Sequence, residues 1–511
     1  MPAPTSGAQT TAPSSSDTYE AGAESQVGSL AFVCTWSREE AHRTGEVGFV
    51  RPFEWLYGGR SDRKGKVLRF GPQRPGDPPH DFSRGRCLTG GAFSREQFLT
   101  RGTAVAIEVV NIGRHPMRVN GVKLPKFEGD AMVALGTPGA VARLKPGDRL
   151  SVPGEVSWVC VRRGRTLPVP EGYELHPFGE AGTHGAVGES EAMWNLLKSL
   201  MQAAARDGVH VLVLGETGTG KEMAGRFIHL NSVRAKGPYV SAVAIAESLA
   251  EAELFGNRAN YPTPGTPYRA GLYGQANRGV LFLDELGDLP NKVQKALLHT
   301  LQNGEYRSVG EDFTRSSSVR AVAATSRDPR EIHKDLYFRF IEKIHVPPLR
   351  ERPEDIPLIA RHLLVRQAET VPRLERFFRQ GVGGRLEPNI SQSFVDYLVG
   401  HPLPGNVREL ESILIQALNQ STGDVIRGPE GHSIAPAPAS TAPPPQSGAP
   451  VPASADGTLT EGTLRETLER SEWNVTKTGR ILGMHRNAVQ RLMDKYGIRK
   501  EEQEDKRDKE E

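Results

Sequence analysis

The chain has 511 residues, more than one hydrophobic core can organise, so about two to four domains are expected. Its 64 basic and 61 acidic residues leave a net charge of +3, which excludes a chain-wide polycation or polyanion and confines any nucleic-acid contact to a local patch. No run of about 18 apolar residues marks a membrane span, and Cys34, Cys87 and Cys160 are widely spaced, as expected of reduced thiols.

Residues 1–27 are rich in Ala, Ser, Thr and Pro and read as a disordered tail. They lack the apolar core and basic start of a signal peptide, so a cytoplasmic location is expected. From 28 to 165, short apolar runs ("LAFVCTW", "AVAIEVVNI", "MRVNGVKL", "SWVCVRR") alternate with Gly, Pro and Asn turns, which predicts a β-sandwich. The order "YGGRS", "FSREQF", "NIGRHPMRVNG" resembles a forkhead-associated (FHA) domain. That resemblance implies a loop site for phosphothreonine on a partner protein or kinase, with Arg60 and Ser94 on the phosphate and Arg95 in support. Arginine–phosphate pairing supplies the chemistry. Gln97 and His115 stand where the family has His and Asn. A β-sandwich used only for self-association is the plainer alternative. Residues 166–185 read as a linker.

From 186 to 427 the pattern becomes α/β. A helical stretch, "ESEAMWNLLKSLMQAAA", precedes the strand "VHVLVLG", and further strands recur at "GVLFLDE" and "SVRAVAATS". Such alternation predicts a parallel sheet with helices on its faces. "GETGTGKE" follows the first strand and opens a helix, the context a phosphate-binding loop requires. Gly215, Gly218 and Gly220 would let the N–H groups of Glu216, Thr217 and Thr219 curl around phosphate oxygens, and Lys221 would reach the β- and γ-phosphates of ATP. Asp284 and Glu285 end the strand "VLFLDE", at the sheet edge where ligands sit. Asp284 would hold Mg²⁺, and Glu285 would orient or activate water.

These segments, with "AESLAEAELFG", "VPPLRERPEDIPLIARHLL" and "LPGNVRELESIL", resemble the AAA+ domain of bacterial sigma-54 activators. The resemblance implies an α/β P-loop ATPase with a helical lid, a homo-oligomeric ring, and active sites completed by a neighbouring copy. It makes Glu222 the expected residue after the lysine. It casts Arg408 as a nucleotide sensor and Arg339, in "IHKDLYFRF", as the subunit-bridging arginine.

Four features depart from that family. The loop that touches sigma-54 reads GAFTGA there; here the slot is Asn260 to Gly265, with Tyr261, Pro262 and Thr263 at the contact positions. Prolines at 262 and 264 stiffen Thr263 between them. His333 replaces one of two bridging arginines, and Ser326 replaces an Asn sensor. "YVSAVAIAESL" lacks the Asn that restrains the catalytic Glu in the family. Together these predict retained ATP binding, slowed hydrolysis and altered sigma-54 contact.

Residues 428–457 form a Pro/Ala-rich linker, 458–498 a helix-turn-helix, and 499–511 a charged tail. The all-α segment resembles the Fis-type DNA-binding domain. Arg486, Asn487, Gln490 and Arg491 would face bases in the major groove of an upstream promoter or enhancer site. Two functions follow. One is a DNA-bound, ATP-driven regulator that senses a phosphoprotein and acts on RNA polymerase carrying sigma-54. The other is a nucleotide-binding DNA-bound scaffold or repressor without motor work.

Overall fold

The computed structural model describes residues 28–428, apart from 61–65, 80–84, 89–92, 130, 135–136, 183 and 244–245, and beyond them Leu468, Thr478 and Met493. The chain divides into two units, Met1–Pro436 and Ala437–Glu511. In the second unit Leu468, Thr478 and Met493 are helical and buried. The predicted base-reading residues Arg486, Asn487, Gln490 and Arg491 lie outside the described residues.

The first unit opens with ten short strands: β1 (Ser29–Ser37), β2 (Val47–Phe49), β3 (Leu56–Gly58), β4 (Phe98–Gly102), β5 (Ile107–Asn111), β6 (Met117–Val119), β7 (Val122–Leu124), β8 (Ala142–Leu144), β9 (Arg149–Val152) and β10 (Val156–Arg163). They form two antiparallel sheets, ordered β2-β1-β10-β9-β6-β7 and β3-β4-β5-β8. Leu30, Phe32 and Cys34 of β1 enter the core between the sheets, where Trp158 lies 5.8 Å from the Phe70 ring and 5.9 Å from Phe98.

An antiparallel strand with one wet face should alternate apolar and polar residues. β1 does not, because its second face is covered too. Ala31 and Val33, with Val47, Phe49, Val159 and Val161, pack on Val395 and Val399 of a lid helix introduced below.

The α/β part begins with α1 (Glu191–Ala205), whose N-cap Ser190 accepts a hydrogen bond from the Met193 N–H. Its apolar face buries Trp194, Leu197 and Leu200. Then come β11 (Val211–Leu214), α2 (Lys221–Leu230), β12 (Tyr239–Ala242), β13 (Val280–Leu283), α3 (Asn291–Asn303), β14 (Arg320–Thr325), α4 (Lys334–Arg339) and β15 (Glu342–His345). The five strands are parallel, in the order β12-β13-β14-β11-β15, so their carboxyl ends share one edge. The lid contains α5 (Ile356–Thr370), α6 (Gln392–Gly400) and α7 (Asn406–Gln420).

Residues 166–185 are not a free connector. Leu167 and Tyr173 are buried in the core of α1, and His176 stacks on Trp194 with ring centres 5.7 Å apart. The aromatic content of this stretch lets it bury area that a Gly/Ser linker would leave in water.

Helix α6 seals the strands to the lid by polar contacts as well. Gln392 Nε2 donates to the carbonyls of Val152 (3.1 Å) and Val156 (2.9 Å) and to Ser157 Oγ (2.9 Å). The Gly154 N–H donates to Gln392 Oε1, and Trp36 Nε1 donates to the Ile390 carbonyl. Arg149, 9% exposed, donates to the Asp396 carbonyl.

Burial pushes the Asp396 carboxyl up to about 6, despite opposing contacts from Ser157 and Arg149. An unfolded Asp titrates near about 3.9, so the raised native value stabilises the fold at low pH, and that stability is lost as pH rises through about 6. Urea midpoints of the full chain should therefore fall between pH 4.5 and 7, and Asp396→Asn should flatten that slope. Parallel slopes for both proteins would refute it.

Candidate nucleotide site

β11 delivers the phosphate loop to the carboxyl edge of the sheet, and α2 begins at Lys221. Gly218 and Gly220 adopt left-handed backbone angles, φ +77° and +101°, which glycine takes at little cost. At Gly218 a Cβ would also lie 2.3 Å from the Gly405 carbonyl oxygen. The lid therefore sits directly on the loop.

That contact is built by Asn406, the first residue of α7. It is fully buried, and its φ is +51°. Its Oδ1 accepts from the Leu349 N–H at 2.9 Å, while Nδ2 donates to Glu216 Oε2 at 3.2 Å and the Thr217 carbonyl at 3.1 Å. The next residue, Val407, donates its N–H to the Gly218 carbonyl at 3.0 Å. Arg350 adds a 2.6 Å ion pair to Glu216 and, with Asn406, holds that carboxyl below its usual range.

A cavity of about 730 Å³ lies between loop and lid. Thr217, Gly218, Thr219, Gly220, Lys221 and Glu222 line it from the loop, Asp284 and Glu285 from the end of β13, and Arg408 from α7. Gly215 and Glu216 form the stem behind these residues. Lys221, 7% exposed, donates to the carbonyls of Gly215 (3.1 Å) and Glu216 (3.3 Å) and lies 3.3 Å from Glu285 Oε1. Burial, reinforced by the charge of Glu285, pushes the Asp284 carboxyl up. Burial would raise Glu285 too, but hydrogen bonds from Ser326 and the charge of Lys221 outweigh it and hold Glu285 below its usual range.

Such a cavity suits a polyphosphate. Backbone N–H groups, a helix N-terminus and a buried ammonium face the phosphate end, and Arg408 lines the same wall from the lid. The hard oxygens of Asp284 and Glu285 suit Mg²⁺, which takes most of its remaining ligands from phosphates and water. Among the described residues, no cluster of three or more side chains holds a metal unaided.

Sequence reasoning missed several contributors. His362 and Arg366, one turn apart on α5, and Arg327 after β14 also line the cavity. The i, i+4 spacing in "RHLLVR" was the available signal. Arg339 does not line its own chain's cavity; its guanidinium donates to the Leu301 carbonyl at 2.7 Å.

Three segments match known families: residues 186–347 the sigma-54 interaction domain, 350–430 the AAA+ ATPase lid domain, and 463–496 the Fis family of bacterial regulatory proteins. The transcriptional regulatory protein ZraR of Klebsiella oxytoca is 36% identical over 324 residues, spanning 60% of this chain and 68% of that protein. The chain belongs to the bacterial sigma-54-dependent transcriptional activators. The regulatory protein AtoC of Escherichia coli K12 is 35% identical over 322 residues, 60% of this chain and 67% of its own length. The Nif-specific regulatory protein of Bradyrhizobium diazoefficiens is 36% identical over 307 residues, 58% of this chain and half of that protein. Family membership carries nucleotide binding, DNA binding through the Fis-type segment, and interaction with sigma-54 polymerase. Among the described residues, no helix is long and apolar enough to cross a membrane.

In this sigma-54 activator, Tyr261, Pro262 and Thr263 stand exposed in the 260–265 loop. The loop is closed by its own hydrogen bonds. Asn260 N–H donates to the Thr266 carbonyl at 2.7 Å, Asn260 Oδ1 accepts from Gly265 N–H at 2.9 Å, and the Thr263 and Thr266 hydroxyls lie 3.1 Å apart. The Tyr261 ring packs on Gly310, where a Cβ would lie 2.5 Å from it.

In the two-sheet part, Arg60 N–H donates to the Ser94 carbonyl at 3.3 Å, and Ser94 Oγ accepts from Arg114 N–H at 3.1 Å. Arg60 and Arg95 are exposed beside them. Arg114 was not singled out from the sequence, although it lies in the quoted "NIGRHP". Gln97 is fully buried and donates to Asn111 Oδ1 and the His115 carbonyl, so it braces these loops from within.

Gly218→Ala should weaken ATP binding by on the order of tenfold, a cost of about 1.4 kcal/mol, because the methyl collides with the Gly405 carbonyl. Fluorescent-nucleotide titration of the full chain reads this. Unchanged affinity would mean that loop and lid are not in contact when nucleotide binds.

Proposed function

We propose that this chain is an ATP-hydrolysing regulator that works as a ring of copies, binds an upstream promoter site through its Fis-type segment, and remodels sigma-54 polymerase through the 260–265 loop. The observation that carries the reading is the convergence of Lys221, Asp284, Glu285 and Arg408 on one cavity. Lys221 would bind the β- and γ-phosphates, and Arg408 would register the nucleotide from the lid. Mg²⁺ held by Asp284 would neutralise phosphate charge. Glu285 would take a proton from the attacking water. Arg339 would serve a neighbouring copy's nucleotide, in keeping with its place outside its own cavity.

The loop supports contact with a partner. Its tip is exposed and its shape is set by internal hydrogen bonds, so Tyr261 and Thr263 are presented with little left to order. ATP turnover and melting of a sigma-54 promoter should both be measurable with the full chain and holoenzyme. Thr263→Ala should cut melting about tenfold while leaving turnover within about twofold, a split that follows if the loop carries only partner contact. ATP binding with neither turnover nor melting would favour the scaffold reading instead.

The two-sheet domain would be the sensor, an FHA-like β-sandwich taking a phosphothreonine peptide. A backbone bond joins the loops of Arg60 and Ser94, the Arg114 N–H donates to Ser94 Oγ, and the Arg60 and Arg95 side chains are exposed there; a guanidinium would pair with a phosphate dianion. A pool of phosphothreonine peptides should bind the wild-type chain and lose about tenfold or more in affinity on Arg60→Ala, as expected for a charge-assisted pair. Equal binding of the unphosphorylated pool would end this assignment.

A further inference from the structure

Glu285 is held in an unusual way for a group that must act on water. Its own backbone is left-handed, φ +49°, a conformation costly for a residue with a Cβ. Its carboxylate is gripped at two points by a single residue. Ser326 N–H donates to Oε2 at 2.8 Å, and Ser326 Oγ donates to Oε1 at 2.9 Å. Lys221 Nζ lies 3.3 Å from the same Oε1. Ser326 itself sits just past the end of β14, one strand over from Glu285, and the following turn is fixed by Arg327 N–H donating to Thr325 Oγ1 at 3.1 Å.

The consequences differ among the three contacts. When a nucleotide arrives, the ammonium of Lys221 is drawn to phosphate, because a phosphate chain outbids one carboxylate for it. The Ser326 pair then remains as the contact that fixes the plane of the Glu285 carboxylate. A one-point contact would leave that plane free to rotate about its bond. Two parallel bonds from one rigid strand end do not, and small losses of alignment are costly for proton transfer to a positioned base.

We propose that Ser326 is the positioning residue for Glu285, acting on the attacking water through that carboxylate and not on the nucleotide directly. The proposal rests on the reading that Glu285 serves ATP hydrolysis. Ser326→Ala keeps the backbone donor and removes the hydroxyl. It should lower kcat about tenfold, with KM and the affinity for a fluorescent ATP analogue within about twofold. Ser326→Thr keeps a hydroxyl at the same place and should recover most of the loss. In a Glu285→Gln background, Ser326→Ala should cost nothing more, since residues that act as a unit are non-additive.

A purely structural role would raise KM or weaken nucleotide binding along with kcat, and Thr would not rescue it; either result overturns the proposal. Hydrogen exchange tests the grip without turnover. Glu285→Ala should speed exchange at the Ser326 amide several-fold in the full chain, because the bond to Oε2 is lost. If exchange responds but the wild type hydrolyses nothing, the hydrolysis reading fails and the grip stands. If exchange does not respond, the grip is refuted whatever the turnover.

Discussion

One buried amide joins the working parts of this molecule. Asn406 reaches the phosphate loop through Glu216 and Thr217 and the turn after β15 through the Leu349 N–H. A buried side-chain amide has two donors and two acceptor sites to satisfy, and leaving them unmet costs about 1–3 kcal/mol each. Here both its oxygen and its nitrogen find backbone or carboxylate partners, so the lid cannot leave the loop without a penalty. The cavity that unites Lys221, Asp284, Glu285 and Arg408 exists because this junction holds α7 against the loop.

The lid has a second set of obligations. Helices α5 and α7 face the nucleotide cavity, whereas α6 carries Val395, Val399 and Gln392 into the β-strands. A lid that is bonded to the N-terminal strands on one side and to the phosphate loop on the other links the two physically. Any change in how the strands seat on α6 would alter the lid that also bears Arg408, His362 and Arg366. On the β13–β14 side of the sheet, Asp284, Glu285 and Ser326 stand at the strand ends, and Ser326 and Lys221 hold the Glu285 carboxylate.

Much of the fold was legible because its signals are local. The short apolar strands set off by turns, the apolar parallel strands and the Gly-rich turn before α2 all follow from backbone chemistry within a few residues. Residues 217–222, Asp284, Glu285 and Arg408 were legible as the cavity's lining too, whereas Arg327, Arg352, His362, Arg366 and Glu411 were not. Less legible were contacts that need two distant segments. The unbroken apolar run of β1 is explained only by α6, about 360 residues later, and Arg163, 2% exposed, reaches the Glu189 carbonyl outside the strands. Residues 166–185 look like a linker because they carry four Gly and three Pro, while Leu167, Tyr173 and His176 determine their packing. Ser326 reads as a lost sensor when matched to a family pattern. Its grip on Glu285 depends on the left-handed turn at Glu285, which no sequence period announces.

The lid makes the nucleotide site by being bonded to the phosphate loop through Asn406. The most direct test is the ATP dissociation constant of full-length Asn406→Ala against the wild type, read by fluorescent-nucleotide titration. Losing the amide frees the loop and leaves Glu216 with Arg350 alone, so affinity should fall about tenfold or more, on the scale of two lost buried hydrogen bonds. An affinity equal to that of the wild type would contradict the account.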